Sequence, residues 1–70
     1  SDWLIVDRLA KSFNKRKEWQ KSIQLITEAL PRMKDNSSKR LLLYTLRTAY
    51  SGQGDKDEAK RIDAEISRLP

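Results

Sequence analysis

The stretch Leu43-Tyr44-Thr45-Leu46-Arg47-Thr48-Ala49-Tyr50-Ser51-Gly52-Gln53-Gly54-Asp55-Lys56-Asp57-Glu58-Ala59 decides the fold. Leu43, Leu46, Ala49 and Tyr50 recur at intervals of three and four residues, or one apart, which places them on one face of a helix. Ser51-Gly52-Gln53-Gly54 interrupts that pattern with two glycines and reads as a turn. Asp55 with Glu58 three residues later is a capping-box arrangement, in which each side chain can satisfy a free backbone amide at a helix start. A further helix follows, with Ala59, Ile62, Ile66 and Leu69 inward and Pro70 closing it. Two helices joined by so short a turn must run antiparallel.

The same arrangement occurs 37 residues earlier: Val6, Leu9, Phe13, Ser22 and Leu25 fall on Leu43, Leu46, Tyr50, Ala59 and Ile62, and Glu28 falls on Glu65. Trp3, Val6, Leu9, Ala10 and Phe13 predict the inner face of a first helix, and Trp19, Ile23, Ile26, Ala29, Leu30 and Met33 that of a second, with Asn14 to Lys17 as the turn between them. Pro31 lacks a backbone amide and disfavours helix in the residue before it, so the second helix ends or kinks near Leu30. Asp35, Asn36, Ser37 and Ser38 read as a polar loop that offers caps to the third helix, whose inward residues are Leu42, Leu43, Leu46, Ala49 and Tyr50. The chain is therefore expected to be all-α: one domain over residues 1–70, made of two stacked antiparallel hairpins, about 2–34 and about 38–70. Hairpins of this kind bury a core between neighbouring units and present a face for binding.

On these residues the chain resembles the tetratricopeptide repeat family. The run from Leu43 through Leu46, Ala49, Tyr50, Gly54, Asp55 and Glu58 to Ala59 is similar to that family's helix-turn-helix unit, and Val6, Leu9, Ala10, Phe13, Trp19, Ser22, Ile26 and Ala29 repeat it. Ala10, Ser22, Ala29 and Ala59 are small enough to let backbones approach, while Phe13 and Tyr50 fill the space beside them. Lys17 stands where the family has its turn glycine, Arg47 where it has a small residue and Asp63 where it has an aromatic; the spacing exceeds the family's usual length of about 34. The resemblance implies a TPR-like right-handed superhelical segment.

Composition excludes several kinds of chemistry. Histidine and cysteine are both absent. General acid-base catalysis near neutral pH, a Cys-His nucleophile and a histidine or thiolate metal site therefore lack their usual residues, and neither an enzyme nor a cofactor is expected. Asp55, Asp57 and Glu58 sit at a helix start, where the helix dipole favours negative charge. The lack of cysteine accords with the cytoplasm or another reducing compartment. The longest apolar stretches, Trp3 to Val6 and Leu41 to Tyr44, are far too short to cross a bilayer, so no membrane insertion is expected.

Fifteen lysines and arginines oppose ten acids, giving a net charge of +5 and an isoelectric point near 9.8. Most of these charges are dispersed, but Lys11, Lys15, Arg16, Lys17 and Lys21 gather around the first turn. In tetratricopeptide domains the first helix of each hairpin lines a concave groove. The resemblance carries the ligand-facing positions onto Asp7, Lys11, Asn14 and Lys15 in the first copy and onto Tyr44, Thr48 and Ser51 in the second. It implies a non-catalytic adaptor or scaffold module for a protein or peptide, with an acidic segment suited to the lysines. A weaker resemblance to pentatricopeptide repeats, together with the basic balance, implies single-stranded RNA instead. Self-association is a third expectation, because Trp3-Leu4-Ile5-Val6 and Leu41-Leu42-Leu43-Tyr44 carry more apolar residues than one helix stripe can bury.

Overall fold

Two turns of the same backbone design set the architecture. In the computed structural model, which describes residues 2–70, the Glu18 amide donates to the Phe13 carbonyl at 2.9 Å and the Lys17 amide to the Asn14 carbonyl at 2.9 Å. Shifted by 37 residues, the Asp55 amide donates to Tyr50 at 2.9 Å and the Gly54 amide to Ser51 at 3.1 Å. Both pairs are the Schellman closure of a helix C-terminus, which requires a left-handed residue next to the last turn. Gly54 fills that place at φ 87° and Lys17 at φ 61°. The sequence repeat is thus also a backbone repeat, and Lys17 takes the left-handed conformation that a glycine adopts with less strain.

Four α-helices result among the described residues: α1 (Asp2–Lys15), α2 (Trp19–Ala29), α3 (Asn36–Gly52) and α4 (Lys56–Arg68). The fold is all-α and built of packed helical hairpins. Pro31 acts as expected, since α2 passes at Leu30 into a single 3-10 turn, Leu30–Arg32, with the proline in its first positions. Met33 has left the helix for an extended conformation, yet still packs against the core. Asn36, Ser37 and Ser38, expected in a loop, belong to the first turn of α3. Asp35 makes this start possible: its carboxylate accepts from the Ser38 amide at 2.7 Å and from the Ser38 hydroxyl at 2.7 Å. Those bonds, the backbone one foremost, hold the Asp35 carboxyl below its ordinary value. At α4 only half of the expected capping box forms. Asp55 accepts from the Glu58 amide at 3.3 Å, but its own amide is taken by Tyr50 and Glu58 turns to Arg61.

Packing follows the hairpins, with α1 against α2 and α3 against α4, and α3 also against both α1 and α2. Ile26, Leu42, Leu46 and Ile62 are fully enclosed, each contributing about 1.5–3 kcal/mol of burial. Ala10, Ala29, Ala49 and Ala59 are buried among them, where a small side chain lets helices approach. Leu9 departs from its expected inward place and is 45% exposed, because α3 meets α1 on the side of Asp7 and Asn14 and leaves the Leu9 side unpartnered. Arg47 and Asp63, two of the three departures from the repeat pattern, pair with each other across α3 and α4. A charged pair thus stands on the outer side of the second hairpin, where the pattern had a small residue and an aromatic.

Gly52 is required for space. A Cβ there would lie 2.5 Å from the tip of the Trp19 ring, whereas Gly54, with nothing within 4 Å, is required only for its φ. Gly52→Ala gains about 0.5–1 kcal/mol of helix propensity but overpacks Trp19 at about 1–3 kcal/mol. The expected net is a loss of about 1 kcal/mol, a fall in melting temperature of about 5 °C, with a shift in tryptophan fluorescence. Unchanged melting and emission would mean that the ring yields freely. Ser22 should behave oppositely. Its hydroxyl is fully buried without a hydrogen-bond partner, so Ser22→Ala is expected to stabilise by about 1 kcal/mol in urea titration.

Candidate functional site

A groove of about 420 Å³ runs along the seam between α1 and α3. Lys11, Asn14 and Lys15 line it from α1, and Leu41, Tyr44, Thr45 and Thr48 from α3, with Trp19 at the start of α2. These positions converge because residues three and four apart share a helix face. Of the seven positions expected to face a ligand, Asp7 does not line the groove, and five of the other six are brought together in it: Lys11, Asn14, Lys15, Tyr44 and Thr48. Ser51, the sixth, is exposed on the last turn of α3 and does not line the groove.

A polar bridge forms the floor. The Thr45 hydroxyl donates to Asp7 Oδ1 at 2.7 Å, and Lys11 Nζ lies 2.9 Å from Asp7 Oδ2. Asn14 Nδ2 donates to the Thr45 carbonyl at 3.3 Å, while Asn14 Oδ1 is shielded from solvent and has no partner. Asp7, Asn14 and Thr45 are all buried, so a carboxylate, an amide and a hydroxyl join α1 to α3 in place of apolar contacts. This changes the part that two candidates play. Lys11 already has a carboxylate partner in Asp7 although its side chain is exposed, Asn14 is buried against Thr45, and Asp7 belongs to the joint and not to the groove surface. Reversing the charge of Lys11 would disturb the joint as well as any ligand.

The remaining groups face outward. Lys15 is exposed and has no carboxylate partner among the described residues. Tyr44 and Leu41 are 51% and 47% exposed and give the groove its apolar wall. The Thr48 hydroxyl donates to the Tyr44 carbonyl at 3.1 Å, which leaves its oxygen able to accept. Beyond the groove, the rest of the basic cluster is only partly offset: Glu18 pairs with both Arg16 and Lys21 at 2.9 Å, and those cations stand 5.3 and 5.8 Å from the centre of the Phe13 ring. The hydrogen bond from Lys21, supported by both positive charges, holds the Glu18 carboxyl below its ordinary value.

Thr45, Trp19 and Leu41 line the groove without having been among the expected ligand-binding residues. Thr45 borders the stripe of Leu42, Leu43, Leu46 and Ala49 just as Arg47 does on its other edge, so the sequence alone did not single it out. No helix among the described residues is long and apolar enough to cross a membrane. No known protein family matches the chain, and no curated protein and no solved structure is significantly similar to it.

Thr45→Val removes one hydroxyl and leaves the Asp7 carboxylate buried with Lys11 alone. The expected cost is about 2 kcal/mol, because an ionised acceptor loses a short hydrogen bond. Asp7→Leu combined with Thr45→Val should cost less than the sum of the single changes, since neither partner is then left unsatisfied. A urea-denaturation double-mutant cycle measures the difference, and strict additivity would show that the two groups do not interact.

Proposed function

We propose that the domain is a non-catalytic, TPR-like interaction module that holds a segment of a protein or peptide in the groove between α1 and α3. The observation that carries this reading is the juxtaposition of half-exposed Tyr44 and Leu41 with the unpaired Lys15 in one concavity. Apolar surface beside one free cation fits a segment in which an aromatic or aliphatic side chain adjoins an acidic residue. Trp19 closes the turn end of the groove, so the apolar side chain is held between Trp19 and Tyr44 while its acidic neighbour meets Lys15.

RNA is the rival class, and the ion pairs weigh against it. Of the five cations around the first turn, Lys11 is paired with Asp7, and Arg16 and Lys21 share Glu18, so two carboxylates reduce the cluster's charge from +5 to +3 and only Lys15 and Lys17 are without an acidic partner among the described residues. A polyanion gains most from adjacent uncompensated cations, whose contacts release counterions.

Selection of binders from a random peptide library tests the proposal. Enriched peptides should pair an acidic residue with a large apolar one. Lys15→Glu and Tyr44→Ala, both at exposed positions, should leave the helical circular-dichroism signal intact and weaken binding at least about tenfold each, with only a shallow salt dependence. Equal affinity in both variants rejects the groove. Steeply salt-dependent capture of an RNA oligonucleotide in place of peptides rejects the adaptor reading.

A further inference from the structure

The groove uses one side of α1, and the opposite side carries a different pattern. On a helix of 3.6 residues per turn, Asp2, Ile5 and Leu9 form one stripe of α1, turned away from the Asp7 and Asn14 side that meets α3, and Arg16 follows in the turn after Lys15. Ile5 is 66% exposed and Leu9 45%. Leu9 continues into a shallow depression between α1 and α2, where Phe13 and Leu25 supply further apolar surface, Lys21 stands at one end and Glu28 at the other. Because α1 and α2 are antiparallel, Arg16 lies at the Lys21 end and Asp2 at the Glu28 end. Glu18 pairs with both cations and lowers the charge of that end without cancelling it. The face is therefore apolar in the middle, positive at the turn and negative at the opposite end.

We infer that this outer face of α1 and α2 is a homodimer interface, in which two copies meet about a two-fold axis with their helices antiparallel. Such an interface must be complementary to itself, and this one is: rotation about the apolar centre brings Lys21 of one copy to Glu28 of the other, and Arg16 to Asp2. Ile5, Leu9 and Leu25 of both copies are buried together at the axis. Head-to-tail stacking on the outer side of the second hairpin does not offer this match, because the Arg47–Asp63 pair stands there and its desolvation opposes burial against leucine. The face is small. Fourteen residues of α1 extend about 21 Å, and two helices of about 10 Å each make a face below the standard interface size, so the dimer is of the weak, transient class.

Sedimentation velocity of the intact chain from about 5 µM to about 1 mM tests this. The mass is expected to rise from 8.2 kDa toward twice that value, and Leu9→Glu to remain at 8.2 kDa with its helical signal unchanged. Lys21→Glu and Glu28→Lys are the decisive pair. Each alone sets like charges opposite one another and should weaken association at least about tenfold, whereas an equimolar mixture restores it, since both contacts are then of opposite sign. Tyr44→Glu, altered only in the groove, should still dimerise. A wild-type mass that stays at 8.2 kDa at the highest concentration overturns the proposal and leaves the face to a different protein. Dimerisation that survives Leu9→Glu but is lost in Tyr44→Glu overturns it too, as does a mixture of the charge variants that fails to associate.

Discussion

A single hairpin of two short helices cannot enclose a core, so the structure depends on the docking of the second hairpin onto the first through α3. This helix packs against all three others, and its inner face supplies Leu42, Leu43, Leu46 and Ala49 to the shared core. Apolar burial at that junction drives association but is indifferent to small sliding. The Thr45 hydroxyl is not. Its bond to Asp7 and the bond from Asn14 to its carbonyl are directional, and displacement of α3 by one turn would leave a buried carboxylate without its donor. The polar joint thus fixes the register that the apolar contacts tolerate only loosely, and the groove inherits its shape from that register.

Much of this was legible in the sequence because it is local. Pro31 ended α2 at Leu30, the two turns appeared where glycine, lysine and aspartate interrupted the apolar spacing, and the 37-residue period extended to the backbone hydrogen bonds. What was not legible depends on which neighbour each face meets. Leu9 has the spacing of a core residue, yet nothing in an apolar stripe states how wide a strip the adjacent helix covers. Arg47 and Asp63 looked like separate departures from a pattern, and only the packing of α3 on α4 reveals that they compensate one another. At the groove, helix register brought five of the expected residues together, but it could not show that Lys11 and Asn14 would find partners within the protein before any ligand arrived.

The distribution of charge follows the same division. A net charge of +5 reads from composition as a surface for polyanions. In the folded chain the cations around the first turn are sorted by the acids beside them: Asp7 engages Lys11, and Glu18 spans Arg16 and Lys21, while Lys15 alone remains free at the groove wall. One basic cluster in the sequence has become two separate features, a single unpaired cation at the groove on the α3 side of α1 and the positive end of a dipolar face on the other. Helix α1 is therefore engaged on three sides, by α2, by the polar joint with its groove, and by the outer stripe.

Size connects these features to stability. A chain of 70 residues buries only about 60% of the surface that its unfolded form exposes, so single unfavourable contacts matter. Several are built in: the Ser22 hydroxyl without a partner, Lys17 in the left-handed region and Asn14 Oδ1 without a donor. Each lowers a small margin, and a chain without cysteine has no internal disulfide to offset them. Association through the outer face acts on that margin directly, because a partner that binds only the folded form raises its stability by mass action. The stripe that leaves Leu9 and Ile5 exposed in one copy then supplies, in two, the burial that the short chain lacks. In the proposed dimer, stability and self-association are a single concentration-dependent quantity, and the groove lies on the opposite side of α1.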